Sequence, residues 1–364
     1  MAHLLRFVKQ LTSFQNVGDM LMRPSFHPRL VNDPFSDPGL FIPFLFEKRA
    51  LMFDLGELTV LSSKDLLKVS HVFVTHTHMD HFIGFDTLLR ILLGRDKTLH
   101  LFGPPGFFRH VEGKLAGYAW NLVSEYENDF VLKVNEVHQD KIRTKEYICQ
   151  DRFQPKKASS SRPFSGTLLE EPSFSVHGVL LDHRIPCLGF ALNENFYVNI
   201  IKEGLRELGL PVGAWLNRFK AAIYQEESPH SDFVVSWEEK GKTTREERFV
   251  LGELAQRIAR ISPGQKIAYI TDVVATPENF RKIIALAKEA NPLFIEAAFL
   301  ESDKDMALKK YHLTAREAGV IAGKAGVKSF KLFHFSPRYK HRADDLEREA
   351  KEAYEKMLMG SDES

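Results

Sequence analysis

Cysteine is nearly missing from this chain, with only Cys149 and Cys187 among 364 residues. Two thiols cannot build a disulfide framework or a Cys-rich zinc site, and they suit a reducing compartment. No apolar run approaches the roughly 20 residues that a membrane-spanning helix needs. The N-terminal stretch carries Leu4, Leu5, Phe7, Val8 and Leu11 at helical spacing. It lacks the apolar core and small-residue cleavage site of a signal peptide, so a cytoplasmic location is expected. Net charge is lacking too: 49 Lys and Arg against 48 Asp and Glu leave +1. Whole-molecule charge therefore gives no argument for nucleic-acid binding, and any RNA surface has to be a local patch. No internal repeat recurs at a fixed period. What remains is 44% hydrophobic and 27% charged, which supports a sizeable core in one large domain with insertions, or in two domains.

The most informative stretch that is present is His76-Thr77-His78-Met79-Asp80-His81. It follows the apolar run His71-Val72-Phe73-Val74-Thr75, which is short, β-branched and aromatic and reads as a buried strand. Three histidines and an aspartate thus fall in the loop at a strand's C-terminal end. His76 and His78 are two apart, so an extended segment projects them to one side and toward one ion. Asp80 and His81 lie past a turn, within reach of a second ion. Imidazole and carboxylate without thiolate suit zinc or another first-row divalent ion in a catalytic site.

Along the chain, residues 1–48 read as a helix followed by irregular chain, with turn signals at Asn32-Asp33-Pro34 and Asp37-Pro38-Gly39. Ala50 to Asp54, Thr98 to Phe102, Phe174 to Leu181, Lys266 to Thr271, Leu293 to Ala297 and Ser329 to Phe335 read as strands. Gly84 to Leu93 has helical periodicity, Thr276-Pro277 opens a helix, and Thr314-Ala315-Arg316-Glu317 is a capping box. Residues 154–173 are the most loop-like, with Lys156, Lys157 and Arg162, and residues 199–263 read as helical and highly charged. Alternating strands and helices give an α/β or α+β class with layered sheets. The main domain is expected over 49–364, with insertions near 120–175 and 199–263. His183, Asp272 and His334 each follow an apolar run at its C-terminal end, where open α/β architectures build their sites.

These residues resemble the metallo-β-lactamase fold and, within it, the ribonuclease Z (tRNA 3′-processing endonuclease) family. The resemblance is carried by Phe53-Asp54-Leu55-Gly56-Glu57, by Thr75 to His81 with Gly84, and by Phe102-Gly103-Pro104-Pro105-Gly106. It continues through Asp182 to Phe190, Tyr269 to Asp272, Glu296-Ala297-Ala298-Phe299, His312-Leu313-Thr314 and His334 to Tyr339, in the family's order. The fold implied is a four-layer αβ/βα sandwich of two mixed sheets. The resemblance further implies that His76, His78 and His183 hold one zinc, that Asp80, His81 and His334 hold the other, and that Asp272 bridges them. Manganese or another divalent metal is the alternative. Asp54 would orient the first loop, or simply cap a strand end. Glu296 and His312 resemble the family's pair beside the metals. The family's glycine and threonine around the bridging aspartate are Thr271 and Val273 here, and its histidine before the glutamate is Ile295.

The activity implied is that of a dizinc phosphodiesterase that removes the 3′ trailer of precursor tRNA, with a metal-bridged hydroxide attacking phosphorus. Asp80 would take a proton from the nucleophile, and His312 held by Glu296 would protonate the leaving 3′ oxygen. Ser336 and Arg338 are candidates for phosphate binding, Arg338 alternatively for a structural cap. The family is often dimeric. The family's glycine-rich basic arm has no clear counterpart after Leu208-Gly209-Leu210-Pro211-Val212-Gly213. This keeps open a metal-dependent hydrolase of another phosphodiester, a small nucleotide or generic RNA. A non-catalytic RNA-binding relative is the third class.

Overall fold

The computed structural model describes residues 25–45, 47–155, 160–239 and 243–359. The expected N-terminal helix, together with Lys156 and Lys157, lies outside the described residues. The chain divides into two compact units, one holding residues 170–174 and 194–265 and the other holding 25–169, 175–193 and 266–364.

In the larger unit, β1 (Arg29–Leu30), β2 (Leu40–Pro43), β3 (Ala50–Phe53), β4 (Val69–Phe73), β5 (Lys97–Gly103), β6 (Phe130–Val137), β7 (Lys141–Ile148) and β8 (Ser160–Pro163) lie side by side in chain order in one sheet. Strands β3 to β6 are mutually parallel. Parallel pairing requires crossovers that cover the sheet, and one face of β4 to β6 is apolar through Val72, Leu101 and Val134, while the register row His71, His100 and Lys133 lies on the other. Helix α1 (Phe85–Leu92) and helix α2 (Phe107–Ala116) provide two of the crossovers. The α1 stripe Phe85, Leu88, Leu89 and Leu92 is buried against Val72, Val74, Leu99 and Leu101. The strands β1 and β2 correct the reading of residues 1–48 as irregular after the helix. They are short and Pro-flanked, and antiparallel pairing to β3 supplies what local pattern does not. Likewise β8 and β9 (Thr167–Glu170) replace the loop expected over 154–173. The exposed run Ser160 to Pro163 becomes a strand through edge pairing with β7.

The second sheet begins with β9, β10 (Phe174–Asp182) and β11 (Pro186–Glu194). The smaller unit follows. It holds β12 (Phe196–Ile200), α3 (Lys202–Glu207), α4 (Trp215–Tyr224), the hairpin of β13 (Asp232–Glu239) and β14 (Thr243–Val250), α5 (Leu251–Ile258) and β15 (Ala259–Pro263). Strands β13, β14 and β15, with the end of β12, therefore stand within residues 199–263, which read from the sequence as helical. Phe233, Val235 and Trp237 alternate along β13 and pack with Trp215, Phe219 and Leu254 in a core of the unit's own. That period of two is obscured in the sequence by apolar Val234 between the first pair and by the charged residues that follow Trp237.

The second sheet resumes with β16 (Lys266–Ile270), β17 (Leu293–Glu296) and β18 (Phe330–Phe333), giving the order β18-β17-β16-β11-β10-β9. Helices α6 (Pro277–Ala287), α7 (Lys304–Lys310), α8 (Ala315–Lys324) and α9 (Ala343–Met359) complete the fold. Ile283, Ala318, Ile321, Ala322 and Leu346 bury against the outer face of this sheet. The two sheets meet through aromatic rings, with Phe53 5.2 Å from Phe190 and 5.7 Å from Tyr269, and Phe73 5.7 Å from Phe190. Helix, sheet, sheet and helix form the expected αβ/βα sandwich. Its consequence for the site is that β3, β4, β10, β16, β17 and β18 all deliver candidate residues from their C-terminal ends.

Candidate metal centre

Each polar side chain of the centre sits at or just beyond the end of a buried strand. Asp54 follows β3, His76 to His81 follow β4, His183 follows β10, Asp272 follows β16, Glu296 ends β17 and His334 follows β18. Asp54, Asp272 and His334 adopt positive φ angles of 56°, 51° and 60°. The neighbours Arg184 and Tyr311 do the same at 63° and 64°. Non-glycine residues seldom enter this region, and clusters of them mark places where surrounding packing imposes the backbone. Here the turn bends the chain abruptly out of the sheet. Two glycines allow the first loops to close up. A Cβ on Gly84 would lie 2.2 Å from the carbonyl oxygen of Gly56, and one on Gly56 would lie 2.6 Å from that of Pro38.

The structure brings seven of the expected residues together. Ligand atoms of His76, His78, His183 and Asp272 lie within 4.8 Å of one another, and so do those of Asp80, His81 and His334. Asp272 stands between the sets. Its Oδ2 lies 3.6 Å from His76 Nε2 and 3.5 Å from His183 Nε2. Its Oδ1 lies 3.5 Å from His81 Nε2 and 3.3 Å from His334 Nδ1. Asp80 Oδ2 is 3.4 Å from His81 Nε2 and 3.3 Å from His334 Nε2. His78, exposed on the rim, places Nδ1 2.9 Å from His76 Nε2.

The rings are oriented from behind. The fully buried Asp54 carboxylate accepts from Thr75 N at 2.7 Å, from Thr75 Oγ1 at 2.9 Å, from His81 Nδ1 at 2.9 Å and from Tyr269 Oη at 3.1 Å. Carboxylate support of this kind fixes the tautomer and points the other ring nitrogen inward. His183 Nδ1 is tied in the same sense to the Tyr311 carbonyl at 2.9 Å. Glu296 uses both oxygens, accepting from Val273 N at 2.8 Å and holding His312 Nδ1 at 2.8 Å. Neither Thr75 nor Tyr269 was marked by sequence reasoning as a partner of Asp54. Their roles depend on tertiary contact, and only the position of Tyr269 beside the motif hints at it.

Charge is divided unevenly. Burial, reinforced by His81, pushes His76 down to about 2, so it stays neutral. Burial and then His183 also lower His78. Burial opposes the charge on His81, yet Asp272 and Asp54 outweigh it and raise the ring to about 10. Burial likewise works against ionised Asp80, but hydrogen bonding to His334 and the charge of His81 hold it at about 2. Asp272 lies well below the usual carboxylate range, with burial overcome by His334 and His81. The residues fit a divalent ion on two observations. Among the described residues, the buried His81 Nε2 and His334 Nδ1 have no hydrogen-bond partner. The donor set is also imidazole and carboxylate alone, the chemistry of zinc and its first-row neighbours.

A cavity of about 310 Å³ opens beside the second set, lined by Asp80, His312, His334 and Ser336. Arg338 does not line it. Its guanidinium pairs with Asp303 Oδ1 at 3.2 Å and lies 5.8 Å over Phe299. The cavity instead presents Lys310, together with Phe35 and Asp37, none of which sequence reasoning singled out. Among the described residues no helix is long and apolar enough to cross a membrane.

Fold and centre together define the class: the chain has the metallo-β-lactamase fold. The metallo-beta-lactamase fold protein YhfI from Bacillus subtilis aligns with a TM-score of 0.51 over 90% of this chain and 94% of its own, at 15% identity. In sequence, the chain is a homologue of proteins named ribonuclease Z. That of Deinococcus radiodurans is 29% identical over 293 residues, 80% of this chain and 83% of the relative. That of Exiguobacterium sibiricum is 29% identical over 328 residues, 88% and 90% of the two chains. No family model matches the chain.

Proposed function

We propose that this protein is a metal-dependent endoribonuclease that hydrolyses the phosphodiester joining the 3′ trailer to precursor tRNA. The observation that carries the reading is the placement of Asp272, with one carboxylate oxygen turned to His76 and His183 and the other to His81 and His334. In this reading His76, His78 and His183 hold one divalent ion, Asp80, His81 and His334 hold a second, and Asp272 serves both, with zinc as the metal. Bound there, the ions supply Lewis acidity and offset the charge of the diester. The chain's own residues do the rest. Asp54 keeps the His81 ring turned inward. Asp80, at the cavity edge, takes the proton of the attacking water. His312 lines the same cavity with Nδ1 held by Glu296, so its other nitrogen faces the work of protonating the departing 3′ oxygen. Ser336 offers its hydroxyl to the phosphate. Residues 194–265, the main segment of the smaller unit, are taken as the part that grips the body of the tRNA. A cytoplasmic homodimer is the assembly proposed, on resemblance to the family.

Precursor tRNA incubated with the purified protein and zinc or manganese should be cut once, leaving a 3′ hydroxyl on the tRNA. His78→Ala should lower bound metal and abolish turnover, whereas His312→Ala should slow turnover by roughly 100-fold at unchanged metal content. Full activity of His78→Ala in metal-free buffer would refute the assignment. Hydrolysis of a bis-aryl phosphodiester without any cleavage of precursor tRNA would favour the other reading, a hydrolase of a different phosphodiester.

A further inference from the structure

The cavity beside His312 is walled on its far side by a segment that the metal chemistry does not use. Residues 32–38 form a loop fixed at many points. Asn32 Nδ2 donates to the Asp37 carbonyl at 2.8 Å and to the Glu57 carbonyl at 3.0 Å. Asp33 accepts from Phe35 N at 2.9 Å and from Ser36 Oγ at 2.7 Å. Phe335 N donates to the Pro34 carbonyl at 2.7 Å, and the Phe35 ring packs edge-on against Phe335 at 5.3 Å. The loop is therefore a preformed wall tied both to the segment carrying His334 and to the turn after Asp54.

That wall gives the cavity a half-buried carboxylate, Asp37, and the cavity is lined as well by Lys310 and Phe299. Among the described residues neither Asp37 nor Lys310 has an ion-pair partner, although they line one cavity. A carboxylate that accepts hydrogen bonds and an ammonium that binds anions, in a cavity that Phe35 also lines, match the parts of a nucleotide. The phosphate suits Lys310, the sugar hydroxyl suits Asp37, and the base suits an aromatic face. The volume of about 310 Å³ lies at the lower end of the range for a small-molecule site.

We propose that Asp37 and Lys310 form a ribonucleotide subsite, in which Asp37 accepts a hydrogen bond from the 2′-hydroxyl of a nucleotide flanking the scissile bond and Lys310 holds an adjoining phosphate. The inference rests on the reading of the centre as an RNA phosphodiesterase. Its consequence is sugar selectivity. A deoxyribose leaves the Asp37 carboxylate facing the cavity without a donor, and a site built for a hydroxyl discriminates strongly against its absence.

The test uses the full chain with metal bound and three versions of one precursor tRNA: all-ribose, and single 2′-deoxy substitutions on the 5′ or the 3′ side of the cut. The wild-type protein should lose about tenfold or more in kcat/KM on one of the deoxy substrates, the scale of a hydrogen bond to a charged group. Asp37→Ala should bring that ribose-to-deoxyribose ratio to about one, with metal content as in the wild type. A merely structural change would lower both rates and leave the ratio alone. Lys310→Gln should raise KM and shallow the slope of log KM against log salt by about 0.7. An unchanged ratio in Asp37→Ala removes the subsite while the RNA reading stands. Loss of metal from Asp37→Ala assigns the residue to the metal centre and also removes it. Should the wild-type protein hydrolyse a bis-aryl diester but cut no RNA, the RNA reading fails and the subsite with it.

Discussion

Asp54 gathers four donors on one buried carboxylate: the Thr75 amide and hydroxyl, the His81 ring and the Tyr269 hydroxyl. Each of these buried groups, left without its partner, carries a desolvation penalty. Asp54→Ala should therefore cost about 3–5 kcal/mol in urea unfolding, the range for removing one member of a buried ionic pair. Bound metal should fall as well, because the His81 ring loses its anchor. A loss below about 1 kcal/mol with full metal content would return Asp54 to the role of a strand-end cap. Two departures from the family pattern also act at this scale. Thr271 donates its hydroxyl to Asp272 Oδ1 at 2.7 Å, drawing charge from the oxygen that faces His81 and His334. Val273 is buried and its amide donates to Glu296, the carboxylate that holds His312.

Elements whose signals are local were legible in the sequence. The Thr276-Pro277 start of α6 and the capping box of α8 stand where the residues place them. Thr314 Oγ1 accepts from Glu317 N at 3.2 Å while Glu317 Oε2 accepts from Thr314 N at 3.0 Å, and the Thr314 hydroxyl donates to Glu301 at 2.7 Å. Thr314→Ala should lower stability by about 1–2 kcal/mol in urea unfolding, with Thr314→Ser recovering most of it. An unaltered midpoint would show that packing of α8 against α9 holds this start without the cap. Elements that depend on a distant partner were not legible. Strands β1, β2, β8, β13 and β14 are short, Pro-flanked or charged, and each is defined by the strand beside it rather than by its own pattern.

At the scale of the whole molecule, the main segment of the smaller unit, residues 194–265, enters and leaves through a pair of neighbouring residues. Asn193 and Lys266 are register partners across β11 and β16, so the sheet continues on either side of the insertion. The unit has its own core around Trp215 and Phe219. Its hairpin is not basic: residues 232–250 carry five carboxylates against four cations, so electrostatic attraction to RNA is not built into that tip. Replacing residues 194–265 with a two-residue turn should leave a cooperative melt and bis-aryl diester hydrolysis, while precursor-tRNA cleavage falls by an order of magnitude or more. Equal losses on both substrates would take away its role as an RNA grip.

The sequence by itself determined which side chains were available for metal chemistry and that each stood at a strand's C-terminal end. Residue type, apolar runs and capping patterns are properties of a few neighbouring positions. Tertiary structure alone decided the facing of atoms. Asp80 meets His334 across 254 residues and Asp54 meets Tyr269 across 215, contacts that exist only once two sheets have packed. The same packing turned Arg338 to Asp303 and brought Asp37 and Lys310 to one cavity. A side chain's direction there follows from the surfaces that close around it, and no local pattern encodes those surfaces.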